Sequence, residues 1–130
     1  MLDFIPPGII AALQLLTAAG IIHFWFNWFR TEHNEPWLPQ GYIIHERCFV
    51  YPDTVMSVLL VCAAVLLFAK HPLGERLSLV CGGMMLFLAI LDTVYFIQNN
   101  MLEKDTGRAE NLGVIVPLLI LGPLMILRFI

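Results

Sequence analysis

Four stretches of this chain stay apolar for about the length of a membrane-crossing helix, and three connections join them. They run over residues 8–29, 53–69, 77–98 and 112–130. Each is close to the roughly 17–25 residues a helix needs to cross a bilayer. In hydrocarbon a helix satisfies every backbone donor and acceptor within itself, whereas an open sheet cannot. The expected fold class is therefore an all-α integral membrane protein: a four-helix transmembrane bundle with a long ordered loop between helices 1 and 2. At 130 residues this is one transmembrane domain, 1–130, and 59% hydrophobic against 13% charged residues lies far from the balance of a soluble domain.

Four crossings place both termini on one side. The short "KHPLGER" turn concentrates basic residues between helices 2 and 3, which favours a multi-pass topology with that turn and both termini in the cytoplasm. The start, "MLDFIPPG", has an acid and two prolines where a cleaved signal would carry basic residues, so the first apolar run is expected to stay as a permanent helix. A net charge of −3, with its acids gathered in the two longer loops, argues against a nucleic-acid partner.

Cysteine chemistry is not indicated. Cys48, Cys62 and Cys81 contain no CxxC pair, and the two within helices are expected to act as small buried apolar residues. His23, His45, Glu46 and Asp92 are ligand types for a metal, yet none falls into an HxxxH or ExxH spacing. No metal or cofactor is assigned.

The connections carry more information. "RTEHNEPWLPQGYIIHERCFVYP" is rich in proline and aromatic residues, unlike a Gly/Ser linker, and is expected to fold down on the bundle. Pro52 and Asp53 then read as the first turn of helix 2. Pro117 and Pro123 are expected to kink helix 4, and Gly82 and Gly83 offer a close approach on helix 3. Trp25, Trp28, Trp37, Tyr42 and Tyr51 read most simply as an aromatic belt at a membrane interface.

One residue departs from this plan. Asp92 sits in "FLAILDTVYFIQNN", about 10 Å inside the end of helix 3 at 1.5 Å per residue. A carboxyl at the centre of a bilayer costs about 2.5–3.5 kcal/mol on insertion scales, so such groups usually face a partner, a cavity or a pathway. Tyr95 and Asn99 fall within about 60° of Asp92 around the helix and form a polar stripe with it. His23 and Asn27 make a matching stripe at the same end of helix 1, and Glu46, Asp53 and Trp28 belong to that end as well.

Asp92 and His23 are thus the candidate acid–base pair, with Asn27, Tyr95, Asn99, Glu46, Asp53 and Trp28 as candidate ligand contacts. The opposite end shows no comparable set. The leading expectation is a polar pocket that binds the head of a membrane lipid or other lipophilic molecule beneath loop 1, with isomerase- or cyclase-like acid–base chemistry as an extension. Two alternatives keep the same architecture: an accessory subunit of a larger membrane complex, and a proton-coupled transporter acting as a homodimer.

Overall fold

A computed structural model describes the whole chain, Met1–Ile130, as four α-helices. They are α1 (Pro7–Arg30), α2 (Tyr42–Phe68), α3 (Pro72–Gln98) and α4 (Arg108–Phe129). All four are long and apolar enough to cross a membrane. Each packs antiparallel against the next along the chain, while α1 and α4 meet only sparingly, so the bundle has one open seam.

Local chemistry sets most of the boundaries. Pro7 and Pro72 occupy first-turn positions, where the missing N–H would have no partner in any case and φ is already helical. Before Pro72, the His71 ring accepts a hydrogen bond from the Leu73 N–H at 3.1 Å and so caps α3. Gly41 and Gly107, both with positive φ, precede α2 and α4. The polar first turns of α3 and α4, including Glu75, Arg76, Arg108 and Glu110, are helical and solvated, so these helices start ahead of residues 77 and 112.

The main departure is in α2, which begins at Tyr42 and not at Asp53. Pro52 lies inside the helix. Its ring removes the donor for the Cys48 carbonyl without ending the helix. The inward positions continue across it at helical spacing through Tyr42, Glu46, Phe49, Asp53, Met56 and Leu60. Loop 1 therefore shrinks to residues 31–41, and the "HER" segment is helix.

The core is built from Ile10, Ala11, Ala18, Met56, Leu60, Ala64, Cys81, Met85, Ala89, Leu121 and Met125. Small residues bring the backbones together at particular points. A Cβ on Gly82 would lie 2.9 Å from the Gly122 carbonyl of α4, whereas Gly83 faces open space. Of the cysteines only Cys81 is buried; Cys48 and Cys62 are exposed, which corrects the expectation for Cys62. At the terminal end, Arg128 Nε donates to the Ile5 carbonyl at 2.7 Å and fastens α4 to the N-terminal segment.

The aromatic residues read as an interfacial belt differ in burial. Trp25 and Trp28 are buried and Trp37 packs over Gly107, leaving Tyr51 as the exposed member of the set. Trp28 Nε1 donates to the Tyr42 hydroxyl at 3.2 Å, and the His33 ring stacks on Trp28 at 4.4 Å. These contacts pin both ends of loop 1, while Trp37 and Leu38 pack against the Phe96, Met101 and Ile115 cluster.

Candidate functional site

The open seam leads to a cavity of about 340 Å³. Its side walls come from the two helices that fail to close: Leu13, Leu16, Thr17, Gly20, Ile21 and Phe24 of α1, and Gly113, Val114, Pro117 and Leu118 of α4. Its back wall comes from α2 and α3, where Glu46, Asp53 and Asp92 stand beside Phe49 and Met56. At 1.5 Å per residue these carboxyls lie about 6, 16 and 9 Å from the loop ends of their helices. Three acids on two helices thus share one largely apolar space.

Their surroundings differ. Trp25 Nε1 donates to Oδ2 of Asp53 at 2.8 Å. Glu46, 6% exposed, has an Oε1 with no hydrogen-bond partner. Asp92 is 8% exposed and takes part in no ion pair. Both ion pairs of the chain lie at the opposite end, where Asp3 meets Arg128 and the N-terminal amine. Buried acids ordinarily find a donor or a cation, so two without either mark the back wall as unusual.

A second space, about 990 Å³, continues the seam towards the loops. Gly20, Phe24, Glu46, Gly113 and Val114 line both spaces, which places Glu46 at their junction. The outer groove holds His23, Asn27 and Trp28 together with Lys104, Arg108, Glu35 and Glu110. His23 Nε2 and Asn27 Nδ2 lie 2.9 Å apart as an exposed pair on α1. His23 therefore lines the groove outside the carboxyl cavity, and Asn27 occupies its ring.

Of the residues singled out from the sequence, Asp92, Glu46 and Asp53 converge on the inner cavity, while His23, Asn27 and Trp28 line the outer groove. Tyr95 and Asn99 join neither. The Tyr95 ring turns towards α2 and stacks on His45 with centroids 3.7 Å apart and planes 8° from parallel. Asn99 lies one residue past α3, and its Nδ2 donates to the Tyr95 carbonyl at 2.9 Å to close the last turn. The assumed polar stripe splits because Asp92 and Tyr95 face different neighbours.

Two features go further than the expected kink at Pro117 and the acids gathered at one end. Pro117 removes the donor for the Gly113 carbonyl, and both residues line the cavity. A proline four residues after a glycine was the available signal. The other is a buried polar node at the terminal end, where a comparable set was not expected. There Gln14 Nε2 reaches Ser78 Oγ at 2.7 Å and Met125 Sδ at 3.1 Å, while its Oε1 has no partner.

No group of three or more His, Cys, Asp or Glu side chains is arranged to hold a metal ion. The chain matches no known family model, and neither a curated protein nor a solved structure is significantly similar to it.

Proposed function

We propose that this chain is a multi-pass membrane protein that binds a lipophilic molecule in the α1–α4 seam, tail between the two helices and polar head against the α2–α3 wall. The observation that carries the reading is the cavity itself: about 340 Å³ with Glu46, Asp53 and Asp92 on one side of otherwise mainly apolar walls. Its volume falls within the roughly 300–1,000 Å³ of small-molecule sites. A mostly apolar space with a few polar groups at one side suits an amphiphile better than a soluble metabolite.

The exterior supports the same reading. Ile9, Phe26, Val58, Phe87, Ile90, Ile97 and Ile120 project outward from all four helices and are more than half exposed. Apolar patches this extensive are rare on soluble monomers. With lipid around the bundle they need no further partner, and the seam then opens sideways into the acyl chains. Proton transfer between the carboxyls and a bound head is the catalytic extension of this reading.

Native mass spectrometry of the detergent-purified chain tests it, with wild type set against Asp92→Asn. A retained lipophilic species that is weakened or lost in the variant is the expected result. Apo-protein in both samples, stable only with another chain present, would replace this reading with that of an accessory subunit.

A further inference from the structure

The inner cavity presents three carboxyls to a ligand and no basic side chain, with the Thr17 hydroxyl and the Trp25 indole as its other polar groups. Glu46 Oε1 is buried and without a partner, Asp92 has no neighbouring cation, and Pro117 leaves the Gly113 carbonyl without its helical donor. The one side-chain N–H among the lining groups that is engaged with an acid, Trp25 Nε1, is already given to Asp53. Lys104 and Arg108 line the outer groove and form no ion pair with any of the three acids. A ligand with hydrogen-bond donors and positive charge supplies what this wall lacks.

We propose that the ligand is a cationic amphiphile: an alkyl or polycyclic amine whose ammonium group meets Glu46 and Asp92 while its apolar body fills the seam. A bare metal ion fits less well, because the carboxyls are spread along two helices and no set of three is arranged around one point. Phe24, Trp25 and Phe49 border the same cavity, and aromatic faces within about 6 Å add attraction for a desolvated cation.

The inference rests on the lipophile-binding reading, and one experiment separates the two. The full chain, in a non-ionic detergent, is titrated in parallel with dodecylamine and dodecanol, and bound fractions are read by native mass spectrometry. Wild type, Glu46→Gln and Asp92→Asn are compared. Pairing a buried carboxylate with a cation should favour the amine over the alcohol by about tenfold or more in the wild type. The preference should fall towards parity in either variant, and a thermal midpoint close to that of the wild type shows that the variants keep their fold.

Equal affinity for amine and alcohol in the wild type would overturn the cation inference and leave a site for neutral lipophiles. An amine preference that survives both substitutions would overturn it too, since the charge would then be read elsewhere, such as at Glu35 or Glu110 of the outer groove. Binding of neither probe would remove the lipophile reading along with it.

Discussion

Trp25 Nε1 and Asp53 Oδ2, 2.8 Å apart, tie α1 to α2 across the bundle interior. The bond separates the three acids into two kinds: Asp53 is part of the scaffold, while Glu46 and Asp92 are left for something else to meet.

Replacing Trp25 with Phe keeps most of the ring and removes the donor. Leaving a buried acceptor unpaired costs about 1–3 kcal/mol, so Trp25→Phe should lower stability by that order in detergent unfolding. Asp53→Asn should be less damaging than Trp25→Phe, because an amide oxygen still accepts from the indole. Additive losses in the Trp25→Phe, Asp53→Ala double mutant would show that the bond carries no coupling.

The glycine pair of α3 provides an internal control. A Cβ on Gly82 meets the Gly122 carbonyl and Ile126 Cγ1, each at 2.9 Å, so Gly82→Ala must push α4 away. The expected loss is about 1–3 kcal/mol. Gly83→Ala meets nothing within 4 Å and should be neutral or up to about 1 kcal/mol more stable through lower chain entropy in the unfolded state. Thermal midpoints of the two variants, measured side by side, check the contrast.

The Gln14 node should respond asymmetrically. Ser78→Ala removes the shorter of the amide's two bonds and leaves one buried N–H unpaired beside the Met125 contact, with an expected loss of about 1–3 kcal/mol. Gln14→Met removes the amide itself in a similar volume, including the Oε1 that now has no partner, and should cost less than Ser78→Ala or raise stability. Denaturant midpoints of the two variants give the ranking directly.

Gly107 joins α4 to the Trp37 loop. Its φ is +71°, and a Cβ there would lie 2.5 Å from the indole. Gly107→Ala therefore combines backbone strain of about 1–2 kcal/mol with displacement of Trp37. Limited proteolysis should show faster cleavage within residues 31–41 in the variant than in the wild type.

The number of helices was legible in the sequence because membrane-length apolar runs have few other uses. Asp92 was legible for the same reason: one carboxyl in such a run stands out. The start of α2 was hidden because its inward face there is carried by Tyr42, His45, Glu46 and Phe49, so apolar counting stops at Pro52 although the helical spacing does not. Tyr95 and Asn99 were grouped with Asp92 by angle alone. An offset of about 60° is enough to turn a side chain from the cavity to the next helix, and the His45 ring claims Tyr95. Which pair of helices would leave a seam depends on packing among all four, which no single segment encodes.

That seam divides the cavity into a fixed half and an adjustable half. The acids belong to α2 and α3, each flanked by helices on both sides, whereas the facing walls belong to α1 and α4, each with one close neighbour. Under the proposed function, spreading of the two outer helices would admit a thicker body with little change at Glu46 or Asp92. On the proposed lipophile-binding reading, such a site would be strict about the head group and lenient about the girth of the tail, so a series of molecules sharing one head and differing in bulk should bind with similar strength.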